Sequence, residues 1–154
     1  MLHNISKSHA RYCAVQAIYS WELSNNNISD IDLNFFLEQN IFHTDINYFN
    51  DLYVGTAMNS KNLDKLFIPY LYRDIKYLGK IEHSILRVAL FELNKFNKVP
   101  YKVIINEAID LSKIFGSETS YKFINSILDK IISNKNCYDK KKNNFIFKFH
   151  IKNI

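Results

Sequence analysis

Glycine is scarce in this chain, 3 in 154 residues, and the scarcity excludes whole classes of chemistry. Gly55, Gly79 and Gly116 stand alone, so neither a phosphate-cradling loop nor a dinucleotide fingerprint can be assembled. The 2 cysteines, Cys13 and Cys137, are far apart and belong to no paired motif, which removes a disulfide framework and suits a reducing compartment. The 5 histidines never fall at metal-ligand spacing with one another or with a cysteine, so no metal and no cofactor is implied. No serine or cysteine lies in a nucleophile motif. Glu107 and Asp110, one helical turn apart, read as a solvated face and not as an acid-base pair. An enzyme is not expected.

Long apolar runs are absent too. The most apolar segment, ILRVALFEL, is too short to span a bilayer and carries Arg87 and Glu92, and MLHNISKSHAR has no apolar core for a signal peptide. The reading is a cytoplasmic protein with no membrane partner. A hydrophobic fraction of 47% is that of a folded domain. The formal net charge of +5 is open between a polyanionic partner and lysine drift in an AT-biased sequence rich in Asn, Ile, Lys, Tyr and Phe.

What is present is helical periodicity. Ala10, Ala14, Ala17 and Trp21 form a stripe that predicts a helix over about residues 6–23. Ser29 or Asp30 is expected to cap a second helix with Leu33, Phe35, Phe36 and Leu37, and a third starts near Asp45 and runs past Gly55, where close helix packing explains the glycine. Asn59 or Ser60 caps a fourth segment that Pro69 divides into two short pieces. Gly79 marks the best internal boundary. Beyond it, Ile81, Ile85, Ala89, Leu93 and Phe96 belong to a helix apolar around much of its circumference, hence central. Pro100 is placed as the first residue of a helix carrying Ile104, Ala108, Leu111 and Phe115. Gly116 is expected in a left-handed closing conformation, with Ser117 capping a last helix and Glu118 in its first turn. From Asn134 the lysine-rich chain reads as a solvated tail in which FIFKFHI alternates like a strand without a partner.

Three segments carry a likeness. RYCAVQAIYSWEL at Arg11 to Leu23, IEHSILRVALFEL at Ile81 to Leu93, VPYKVIINEAIDLSKIFGSETSYKFINSILDKI at Val99 to Ile131, and the spacing between them, closely resemble the NusB family of transcription antitermination factors. The resemblance covers about residues 10–132 and implies an all-α fold of seven helices in two subdomains, here 1–79 and 80–133, followed by a basic tail at 134–154. It implies a partner, the small-subunit ribosomal protein NusE. It also implies a ligand, the boxA element of nascent ribosomal RNA, bound by the heterodimer within an RNA polymerase antitermination complex. A related domain precedes the catalytic domain of some ribosomal RNA cytosine methyltransferases, and the short tail here sets against that arrangement.

The resemblance places Phe115, Thr119, Lys122 and Phe123 on the RNA side, with Tyr70 as a further aromatic. Family members carry an arginine-rich N-terminus, whereas this chain offers Lys7 and Arg11; Thr119 stands where many relatives have an acid. Cations for phosphate and flat side chains for splayed bases are what single-stranded RNA requires. Phe115 and Phe123 also extend core stripes, so packing remains open for both, as a solvated helix start does for Lys7. Glu82 matches a glutamate used toward NusE, with Tyr19 and Arg73 as further candidates; a first-turn acid favoured by the helix dipole is the alternative for Glu82. A helical protein-interaction module that has lost RNA recognition is the alternative function.

Overall fold

Ser6 starts the first helix by chemistry the sequence announces: its hydroxyl accepts the His9 N–H at 2.9 Å, and α1 runs over Lys7–Ser24 until Asn25 turns left-handed at φ 54°. The computed structural model describes residues 6–37 and 44–146. Within them follow α2 (Leu33–Leu37), α3 (Ile46–Met58), α4 (Ser60–Phe67), α5 (Lys80–Lys95), α6 (Tyr101–Phe115), α7 (Ser120–Ser133) and a hairpin of β1 (Tyr138–Asp139) and β2 (Asn144–Phe145). Short 3-10 turns at Ile28–Asp30, Ile68–Tyr70 and Ile75–Tyr77 fill the connections. The all-α class and the seven helices agree with the expectation among the described residues.

Helix α5 is the axis. It contacts α1, α3, α4, α6, α7 and β2, and every residue from His83 to Leu93 is buried. Gly55 lets α3 approach it, because a Cβ there would overlap the Phe91 ring. The charged groups that keep ILRVALFEL from reading as a membrane span are the ones that lock its neighbours. Arg11 of α1 donates from Nε and Nη2 to the Glu92 carboxylate at 2.6–2.9 Å, and the Tyr48 hydroxyl of α3 donates to the same carboxylate. Arg87 grips Asp64 of α4 with two bonds of 2.8 Å and reaches Glu22 of α1 at 3.0 Å, while His83 Nε2 lies 2.7 Å from Asp64. Arg11–Glu92 at one end and Glu22–Arg87 at the other fix α1 antiparallel to α5.

Burial alone would raise the Asp64 carboxyl, but the hydrogen bonds from Arg87 and His83 outweigh it and hold the group below its ordinary value. Burial opposes the Arg11 charge as well, and Glu92 reverses that and raises the guanidinium. Cys13, buried on α1, is pushed up to about 11 by desolvation and donates to the Phe36 carbonyl at 3.1 Å. It is an inert small core residue.

Several local expectations are corrected. The carboxylate that accepts a backbone N–H at the start of α2 is that of Asp32, from Asn34, and not a group of Ser29 or Asp30. Asn59 holds the N-cap position of α4 but spends its amide on the Gly55 carbonyl. Pro100 sits at the N-cap of α6, one residue before the first helical one. Gly116 is extended, φ −99° and ψ −175°, so left-handedness is not its reason: a Cβ there would press on the Ser120 side chain and the Ser112 carbonyl. Neither Ser117 nor Glu118 begins α7 as expected. Thr119 holds the N-cap position, and the Ser117 N–H instead donates to Ser120 Oγ at 3.1 Å.

The solvated tail is corrected over residues 134–146. Tyr138 faces Phe145 across an antiparallel pair, and with Cys137 the two rings are buried on the helical core. The Asp139 carboxylate accepts from the Lys141 and Lys142 N–H groups at 2.9 and 3.2 Å, and Asn143 takes φ 54° to close the turn. Most of FIFKFHI lies outside the described residues.

Candidate nucleic-acid interface

The α6–α7 corner gathers part of the expected set. Phe115 is half-buried and stacks on Tyr12 of α1, ring centroids 5.0 Å apart, and His9 extends the stack at 5.6 Å. Burial lowers the His9 ring below its usual value, so at pH 7 it is a neutral flat group. Thr119 and Lys122 are exposed beyond this stack. Ser117 Oγ lies 3.2 Å from Thr119 Oγ1, and Tyr121 carries Lys113 and Lys122 above its ring at 5.1 and 6.0 Å. The corner therefore offers two exposed ammonium groups and aromatic faces on a short, hydrogen-bonded turn. That combination can hold a phosphate and support a base.

Phe123 points elsewhere. It lines a cavity of about 230 Å³ with Leu71, Tyr72, Arg73, Asp74, Tyr77 and Leu78, on the flank of α7. Tyr70 lies at the far end of that helix, its hydroxyl accepting from Asn134 at 3.1 Å. Since α7 is 14 residues long, Tyr70 and Thr119 are separated by about 20 Å of helix. Tyr72 and Lys130, between them, were missed by the sequence reading. Tyr72 is 91% exposed with Lys130 over its ring at 5.2 Å. Lys130 follows Phe123 by seven residues, two turns along one stripe, and that spacing was the available signal.

Arg11 leaves the RNA set. It is 4% exposed, paired with Glu92 and 3.7 Å from Glu107, so its guanidinium holds helices together and has no free face for a phosphate. Lys7 is exposed, 3.9 Å from Asp45 and over the Tyr48 ring at 5.4 Å. Glu107 is not simply solvated as expected: it accepts from Ser8 Oγ at 2.6 Å, whereas Asp110 is exposed.

Of the partner candidates, Glu82 lies in the first turn of α5 and accepts from Ser120 Oγ at 2.6 Å, so it is tied to the α6–α7 corner. Tyr19 is an exposed ring on the half of α1 that pairs Glu22 with Arg87, and Arg73 is exposed on the connection before α5. No helix among the described residues is long and apolar enough to cross a membrane.

Comparison with known proteins bears on this surface. A model of the NusB family matches residues 8–133. "Transcription antitermination protein NusB" of Sodalis glossinidius is 56% identical over 126 residues, 82% of this chain and 91% of that one. The protein of the same name from Blochmanniella pennsylvanica is 52% identical over 144 residues, 94% of this chain and 98% of its own length. The solved structure of T. maritima NusB superposes with a TM-score of 0.72 at 29% identity, covering 89% of this chain and 96% of that one. A crystal structure of antitermination factors NusB and NusE in complex with dsRNA matches with a TM-score of 0.70 at 23% identity, over 84% and 96% of the two chains, a likeness of fold.

Proposed function

The chain belongs to the NusB family, and we propose on that premise that it is a transcription antitermination factor that binds boxA-like RNA of nascent ribosomal transcripts as a heterodimer with NusE. It acts as a cytoplasmic adaptor within an RNA polymerase antitermination complex, a binding protein and not an enzyme. The observation that carries this is the α6–α7 corner, where Lys113 and Lys122 flank Tyr121 beside the Phe115–Tyr12 stack. Thr119 and Lys122 contact RNA there, Phe123, Tyr70 and Lys7 extend the path, and Glu82 with Tyr19 and Arg73 faces NusE.

Gel-shift with boxA RNA, with and without NusE, across a salt series tests this. The mixture binds far better than either protein alone, Lys122→Glu weakens RNA binding while the fold persists, and Glu82→Lys breaks the heterodimer. Equal binding to scrambled RNA would remove the sequence-specific part.

The burial of Arg11 favours one second reading, because it leaves Lys7 as the exposed Lys or Arg of α1. A module that binds NusE without RNA would keep the heterodimer and show no RNA affinity even at low salt.

A further inference from the structure

Hairpin β1–β2 lies beyond the residues that match the family, 8–133, yet it is built into the domain, its Tyr138 and Phe145 rings by packing and its turn by one side chain. The Asn143 amide donates to the Asn97 and Val99 carbonyls at 2.8 and 2.7 Å, and its oxygen accepts from the Tyr101 N–H at 2.9 Å and the Tyr138 hydroxyl at 3.0 Å. All the hydrogen-bonding capacity of that amide is used to hold the hairpin against the α5–α6 connection. Segments 95–102 and 139–145 are thereby brought together, and they contain six lysines, 95, 98, 102, 140, 141 and 142, against one acid, Asp139. All six lysines are exposed, and none has a carboxylate partner among the described residues. Asp139 is itself engaged with the backbone of Lys141 and Lys142.

We propose that this clamped lysine surface is a second RNA-binding site, which holds the phosphate backbone of the strand whose bases are read elsewhere on the protein. The inference rests on the RNA-binding reading above. RNA is favoured over other polyanions because the surface adjoins candidate RNA residues on two sides. Lys7 lies over Tyr48, whose ring packs at a tilt against Phe96, centroids 4.6 Å apart, next to Lys95. Tyr70 is bonded to Asn134, where the chain leaves α7 for the hairpin. Ammonium groups on a rigid turn suit phosphate as point charges, and such contacts fix position without reading sequence.

Lys140→Ala/Lys141→Ala/Lys142→Ala in the full chain, with NusE and boxA RNA, is the test. Affinity at low salt falls at least about tenfold, and the slope of log K against log salt falls by about 2, from a slope of roughly 0.7 per phosphate on a single strand. The ratio of boxA to scrambled RNA does not change. Asn143→Ala, which keeps every lysine, also loses affinity while circular dichroism shows the helices retained.

Unchanged affinity and slope in the triple variant, with normal binding by the unaltered protein, overturns this inference alone. No binding by the unaltered protein overturns the functional reading with it. Loss in the triple variant but full affinity in Asn143→Ala would reduce the effect to net charge and overturn the clamped site. A defect confined to anionic vesicles or to an acidic protein, with RNA affinity intact, would overturn it as well.

Discussion

The cations of this protein fall into two regions that use different chemistry. Around α5, two of the chain's three arginines are buried and spend their guanidinium forks on carboxylates, Arg11 on Glu92 and Arg87 on Asp64. Around α6, α7 and the hairpin the cations are lysines, exposed or, for Lys130, half-buried, and either over an aromatic ring or without a carboxylate among the described residues. A planar fork loses little freedom when it binds two oxygens, so it suits helix-to-helix locking; a hydrated ammonium is cheap to leave in water and ready for a phosphate. Charge inside this molecule specifies the fold, and charge on its rim is available to a ligand.

The sharpest way to break that division is to orphan an inner charge. Glu92→Ala leaves Arg11 buried without its carboxylate and the Tyr48 hydroxyl without an acceptor, and costs about 3–5 kcal/mol by urea unfolding. Replacing both partners, Arg11→Met with Glu92→Leu, recovers the part due to the orphaned guanidinium, while the Tyr48 hydroxyl still lacks its acceptor. A packing substitution on the same axis is milder. Gly55→Ala drives a methyl into the Phe91 ring and costs about 1–3 kcal/mol, part of it restored by Phe91→Leu in a double-mutant cycle.

Acid titration separates the regions by another route. The Asp64 carboxyl is lowered in the folded state, so its contribution is complete above the ordinary carboxylate value and is lost as pH falls through the depressed one. Stability measured against pH declines in that acid window, and Asp64→Asn, less stable at neutral pH, shows a flatter decline there. The smallest effect belongs to the rim: Lys113→Ala and Lys130→Ala each shift stability by less than about 0.5 kcal/mol while lowering RNA affinity. A thermal shift comparable to that of Glu92→Ala would erase the distinction.

The fold was largely legible because its signals are local and repeated. The stripe from Ala10 to Trp21, the carboxylate of Asp45 accepting from Tyr48, and the all-round apolarity of Ile81 to Leu93 each follow from spacing. The site was less legible, for reasons that particular residues display. Arg11 and Arg87 look alike to composition, as cations on helices, and only partners 81 and 23 residues away in sequence reveal them as buried. Gly116 follows a helix, the usual place for a left-handed residue, but the Ser120 side chain sets its requirement. Lys140, Lys141 and Lys142 read as a solvated run because strands of two residues carry no periodicity, and the α5–α6 carbonyls that hold the adjacent Asn143 are remote in sequence.

The Asn143 clamp also bears on how the chain is made. Pro100 at the N-cap of α6 has no side-chain oxygen to offer, and the Tyr101 N–H is satisfied by a residue 42 positions later. At about 5–20 residues per second of synthesis, the completed α6 waits roughly 1–6 s before its capping group has been added. During that interval the helix start is bare and the α5–α6 carbonyls face water. The α5–α6 connection is closed only when Asn143 arrives, so a nascent chain halted at the end of α7 carries α1 to α7 and still lacks the group that closes the start of α6.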